Sequence, residues 1–119
     1  MTQQQASEEA AGWTSWPLGS GDIVDSRDVE CICDVNDLDG LLGVEVLFVQ
    51  ATAGPLRFPR TSAPTAPFRW HYYEDDDIFA LQLLPENRSD RQPKSVARFS
   101  LDESGLVTRV AVRWPAGLR

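Results

Sequence analysis

The only histidine of the chain, His71, lies in the run FRWHYY at 68–73, between Trp70 and Tyr72. It is the one side chain here whose ordinary pKa places a charge change near neutrality, so general acid–base chemistry would begin with it. In an alternating strand His71 and Tyr73 share one face, and Trp70 and Tyr72 share the other. If the chain is an enzyme, His71 and Tyr73 are its catalytic candidates. A hydrolytic triad would also need an activated nucleophile, and Ser100 and Ser104 sit in no nucleophile elbow. The plainer reading is a partly exposed strand histidine, and no catalytic residue is assigned. Cys31 and Cys33, two apart, point to the same face of a strand. As metal ligands they would need two further donors, and as buried thiols they act as small hydrophobes. Asp34, Asp37, Asp39 and Gly40 resemble a calcium loop only superficially. Placing Gly40 sixth puts Val35 first and Val46 twelfth, where a hard cation needs carboxylates. Glu74 to Asp77 reads as a solvated hairpin turn. No metal and no cofactor is expected, and neither a phosphate-cradling glycine loop nor a dinucleotide fingerprint is present.

Four tryptophans, Trp13, Trp16, Trp70 and Trp114, are the remaining candidates for chemistry. They could line the mouth of a small barrel and bind an apolar ligand, or plug its ends as core.

These side chains need strands to hold them. Residues 29–35 alternate, with Val29, Cys31, Cys33 and Val35 on one face. Asn-Asp-Leu-Asp-Gly (36–40) is a turn, with Gly40 free to take positive φ. A second strand over 41–50 places Leu42, Val44, Val46 and Phe48 inward. Its other face carries Leu41, Glu45, Leu47 and Val49, too apolar for full exposure, so a covering layer or a second copy of the chain is expected there. Residues 51–67 carry Pro55, Pro59, Pro64 and Pro67 and read as a connector or edge cover. FRWHYY and IFALQLL form a hairpin around the acidic turn. Strands over 96–101 and 106–114 close the chain, with Leu106, Val110, Val112 and Trp114 inward. Residues 29–49 and 96–114 are thus one strand–turn–strand unit written twice, with Gly40 and Gly105 expected in equivalent turns. The fold class is all-β: a small antiparallel barrel or sandwich of about seven to eight strands built from a duplicated hairpin. Residues 1–12 form a polar tail and 13–119 a single domain, divided into a first half (13–50), the Pro-rich connector (51–67) and a second half (68–119).

Within these strands WHYYEDDDIFALQL (70–83) resembles the opening hairpin, Y-D-x-E-x-D-x-L-Y-I-x-L, of the short bacterial proteins catalogued as domain-of-unknown-function family 2283. VARFSLDESGLVTRVAV (96–112) resembles that family's closing stretch, an acidic turn followed by x-L-V-G-I-E-I-L. Residues 29–47 match it more closely, since LDGLLGVEVL keeps the Gly-Val-Glu-Val core, whereas Arg109 and Ala111 stand where the family has Gly and Glu. The resemblance implies one full and one partial copy and a β-rich fold without established activity. Some members look like partners in two-gene toxin–antitoxin arrangements, which implies protein binding.

Charge points the same way. The 119 residues carry a formal net charge of −7. Residues 1–50 hold ten acids and one base, whereas residues 51–119 hold eight acids and ten bases. Nucleic acid demands a basic footprint and is excluded as a partner. The N-terminus has neither the basic nor the apolar region of a signal peptide, and no apolar run approaches a membrane span. A cytoplasmic location is expected, and one Lys against ten Arg suits a GC-rich bacterial gene. The leading expectation is a non-catalytic β-module that binds a partner protein of antitoxin, immunity or regulatory type, or a second copy of itself as a homodimer. Asp25, Asp28, Asp37, Leu47 and Val49 are its contact candidates. The alternative is a small barrel that binds or cyclises an apolar metabolite, using Trp13, Trp16, Trp70 and Trp114 as walls.

Overall fold

A computed structural model describes residues 12–36, 40–60, 68–83 and 89–114. Seven strands appear among the described residues: β1 (Trp13–Pro17), β2 (Asp25–Asn36), β3 (Gly40–Leu47), β4 (Arg69–Tyr73), β5 (Ile78–Gln82), β6 (Lys94–Leu101) and β7 (Val107–Arg113). A short helix, α1 (Val49–Ala53), follows β3. The strands form a single antiparallel sheet in the order β1-β7-β6-β2-β3-β5-β4. The all-β expectation therefore holds, in the form of one curled sheet, a half-barrel with two edges. No second sheet is required, because the chain covers its own inner face. Leu56 is buried there, and Phe58 stacks on Tyr72 at 4.6 Å and Phe79 at 5.2 Å. The start of the Pro-rich segment is thus a plug over the core.

The inner face follows from alternation. Cys31, Cys33 and Val35 of β2, Val44 and Val46 of β3, Phe79 and Leu81 of β5, Ala97, Phe99 and Leu101 of β6, and Val110 and Val112 of β7 are all buried. At about 25 cal/mol per Å² of apolar surface removed from water, this layer is the main term holding the sheet to its plug.

The duplication is visible as register. In the β2–β3 hairpin a bulge falls between Asp34 and Val35, and in β6–β7 between Ser100 and Leu101. Each residue of the second unit lies 66 positions after its counterpart, as Val35 to Leu101 and Leu41 to Val107 show. β2 and β6 pair with each other across a pseudo-twofold axis at Glu30 and Val96. The strands before each hairpin are exchanged: β1 pairs with β7 of the second unit, and β5 pairs with β3 of the first. Gly40 and Gly105 both have positive φ, 79° and 84°. In this register, however, Gly40 corresponds to Leu106, one position away from the equivalence expected. Residues 37–39 lie outside the described residues.

Two further expectations are corrected. The strand after Gly40 ends at Leu47 rather than running to residue 50, because Phe48 turns left-handed (φ 55°, ψ 48°) and starts α1. Phe48 is consequently exposed and Val49 buried, the reverse of strict alternation. The bulge makes Leu41 and Leu42 both buried. Of the three side chains expected to need a covering layer, Leu41 and Val49 are covered by the chain itself, and only Leu47 is exposed.

Candidate functional site

His71 and Tyr73 share the outer face of edge strand β4, with ring centroids 4.5 Å apart in an edge-on contact. Both are exposed, and neither Ser100 nor Ser104 joins them. Ser100 lies on β6, and Ser104 lies in the β6–β7 turn, where it donates to Asp102. Asp102 also accepts the backbone N–H groups of Ser104 and Leu106, and the Ser104 hydroxyl hydrogen bond leads the causes that lower its pKa. That network closes a turn and gives no nucleophile.

The four tryptophans do not share a pocket among the described residues. Trp16 and Trp70 are buried in the core, and Trp114 packs against its rim. Trp13 lies on the outer face, with the Arg98 guanidinium 4.5 Å and the Arg113 guanidinium 5.9 Å from its ring centroid. The reason is parity: on β1, Trp13 and Trp16 are three residues apart, so their side chains take opposite faces. Cys31 and Cys33 are free thiols buried in the core. Their mutual hydrogen bond, followed by burial, pushes the Cys31 thiol up and holds it protonated. Among the described residues no group of three or more His, Cys, Asp or Glu side chains is arranged to hold a metal ion.

The acidic contact candidates are partly occupied. Asp28 receives two hydrogen bonds from Arg98, at 2.7 and 3.0 Å, and that hydrogen bonding holds its carboxyl below the usual range. Asp25 pairs with Arg27 at 3.2 Å. Asp37 lies outside the described residues, and Val49 is fully buried, so it can meet no partner in this fold.

An unforeseen hub is Asp77, in the turn expected to be solvated. Its carboxylate accepts the N–H of Gln50 at 2.9 and 3.0 Å, the N–H of Ala51 at 3.4 Å and the Tyr72 hydroxyl at 2.6 Å. It thereby caps α1 from a different hairpin. Desolvation raises its pKa, but these hydrogen bonds outweigh it and the net shift is downward. The Tyr72 hydroxyl is shifted up, by desolvation first and by the Asp77 hydrogen bond second. Nothing in an EDDD run distinguishes a capping Asp from a solvated one. A groove of about 770 Å³ opens beside this hub, lined by Gln50, Phe58 and Tyr72, with Arg57, His71 and Glu74 also on its walls.

The other notable surface is apolar. The register places Leu47, Ile78 and Tyr73 in one row across the outer faces of β3, β5 and β4. Leu47 is 37% exposed, Tyr73 49%, and the adjoining Phe48 62%. The turn carrying Glu74, Asp75 and Asp76, all exposed, joins β4 to β5 at this end of the sheet. It is tied to the Phe48 corner by the hydrogen bond from Val49 N–H to the Asp77 carbonyl at 3.1 Å. No helix among the described residues is long and apolar enough to cross a membrane.

No family model, no curated protein and no solved structure matches this chain.

Proposed function

We propose that this chain is a protein-binding β-module without catalytic machinery, of regulatory, antitoxin or immunity type, with affinity to domain-of-unknown-function family 2283 through its paired hairpins. One observation carries the reading: the apolar row Leu47–Ile78–Tyr73, exposed at Leu47 and Tyr73 and half-buried at Ile78, with exposed Phe48 beside it, on a sheet whose core is already filled. A contiguous exposed apolar patch has a standing free-energy gain on meeting another surface. The self-association expected from Leu41, Leu47 and Val49 loses two of its three residues to the core, which favours a different chain as partner. The binding face is distinct from Asp28, which its own arginine occupies.

The test is in-cell photo-crosslinking from Tyr73 and from Glu103 as a distant control, followed by titration with the purified partner so identified. A saturable complex, unchanged by His71→Ala, is expected. Reversal of charge at Asp25 should slow association at low salt at most modestly, with the effect screened over a Debye length of about 10 Å at 0.1 M. A chain that turns over a small molecule in a His71-dependent way would overturn the reading.

The groove beside Tyr72 favours a second reading, a small-molecule site of polar and aromatic character. It replaces the tryptophan-lined barrel as the metabolite alternative, and its mark would be ligand binding lost in Tyr72→Phe or His71→Ala.

A further inference from the structure

The pseudo-twofold relation allows each outer-face residue of one unit to be compared with its counterpart in the other, on the same backbone. On the inner face the counterparts are alike: Cys31 and Ala97, Cys33 and Phe99, Val35 and Leu101, Val44 and Val110, Val46 and Val112, all buried. On the outer face two of them differ in character: Leu47 corresponds to Arg113 and Ile32 to Arg98, while through the exchanged strands Ile78 corresponds to Trp13, which has the Arg98 and Arg113 guanidinium groups near its ring. The fold therefore accepts an arginine at the place Leu47 occupies, and the apolar character there is not a requirement of packing. Phe48 adds a second mark. A left-handed backbone costs a residue with a Cβ about 1–2 kcal/mol, which Gly would avoid, and this ring is mostly exposed.

The charged side chains beside the row on β3 and in the β4–β5 turn are acidic. Glu45 lies next to Leu47 on the outer face of β3, and Glu74, Asp75 and Asp76 form the turn at the row's end, all exposed. Arg69, the one arginine of β4, sits at the strand's opposite end, across from Gln82. A second copy docking this face on itself would bring acidic rim to acidic rim on a chain of net charge −7. A head-to-tail contact with the arginine-bearing half would be heterologous and would build a ring or a filament rather than a twofold dimer. Those arginines are moreover engaged, Arg98 with Asp28 and Arg109 with Ser15.

Resting on the protein-binding reading, we infer that Leu47, Phe48, Tyr73 and Ile78 form a docking face for a basic segment of another protein, one that presents an aliphatic or aromatic side chain flanked by Lys or Arg. The apolar row takes the side chain, and Glu45 with the 74–76 turn takes the flanking charges.

Panning a random 12-residue phage library against the intact chain tests this. The expected outcome is a set of peptides with an apolar residue beside Lys or Arg, whose amide shift perturbations fall on residues 45–48 and 73–78. Phe48→Ser and Tyr73→Ser should each weaken the selected peptide about tenfold, in the range of hot-spot truncations. Glu74→Lys should weaken it about threefold at low salt, an effect that fades as salt rises, and Glu103→Lys in the other acidic turn should change nothing. Failure to enrich, enrichment of acidic peptides, or binding that survives both serine variants would overturn the assignment. So would concentration-dependent assembly of the chain that Phe48→Ser abolishes. If the crosslinked partner still binds the Phe48→Ser and Tyr73→Ser variants, this face is wrong and the binding reading stands. If the wild-type chain captures no partner at all, the binding reading itself falls.

Discussion

Asp77 shows how one side chain joins elements that are distant in sequence. It sits at φ 58° in the β4–β5 turn and caps a helix that follows β3. Asp77→Ala removes the cap and leaves a Cβ in the left-handed region, so it should destabilise the chain by about 1–2 kcal/mol in urea denaturation. Asp77→Gly loses the same cap but relieves the backbone, and should cost measurably less. Equal losses for the two would show that the backbone conformation contributes nothing. The pH dependence follows from the depressed pKa values of Asp28, Asp77 and Asp102. A carboxyl held lower in the folded than in the unfolded state adds stability above its unfolded value, near 3.9, and loses it as pH falls through the folded value. Stability should therefore be flat from neutrality to about pH 5 and decline below about pH 4, and the decline should be shallower in Asp77→Asn. Cys31 and Cys33, both buried in the core, should react with an aromatic disulfide reagent only as fast as the chain unfolds. Prompt labelling of two thiols in the native state would contradict their place in the core.

Between β3 and β5, Gly43 permits a close approach. A Cβ there would meet the Leu81 carbonyl oxygen at 2.7 Å. Its counterpart in the second unit is Arg109, where β7 faces β1 rather than β5. Gly43→Ala should lower stability by about 1–3 kcal/mol, the usual range for overpacking, while Arg109→Ala should lose little beyond its hydrogen bond to Ser15. A tolerated alanine at 43, judged by an unchanged denaturation midpoint, would mean that the two strands can separate without loss. At the β3–α1 corner, Phe48→Gly should do the opposite of a typical aromatic deletion. It should raise stability by up to about 1 kcal/mol, since the ring is mostly exposed and the backbone strain disappears. The same substitution should weaken partner binding, and that opposition between stability and binding is the signature expected of a residue kept for its surface. Much of this was legible in advance. The two alternating strands around Gly40, the hairpin around 74–77 and the pair at the C-terminal end all lie within a few residues of their expected bounds. The corner at Phe48 was not, because a β-favouring residue at an alternating position carries no local sign that the next turn belongs to a helix capped from elsewhere.

At the scale of the whole molecule, net charge and symmetry set what the chain can meet. An acidic molecule of net charge −7 repels its own copies, and the monomer should persist in light scattering at concentrations of tens of micromolar at low salt. What the sequence determined by itself was whatever depends on period and composition: strands from alternation, inward faces from parity, the repeat from its second occurrence, and the sign of the charge. These are local properties, set by chain geometry within a few residues. The tertiary structure alone decided the exchange of β1 and β5 between the two units, the use of residues 49–58 as the cover of the inner face, and the separation of the four tryptophans. It also brought Leu47, Ile78 and Tyr73 into one row. Strand order is chosen by which faces bury together over long sequence separations, and side chains from three strands become neighbours only once that choice is made.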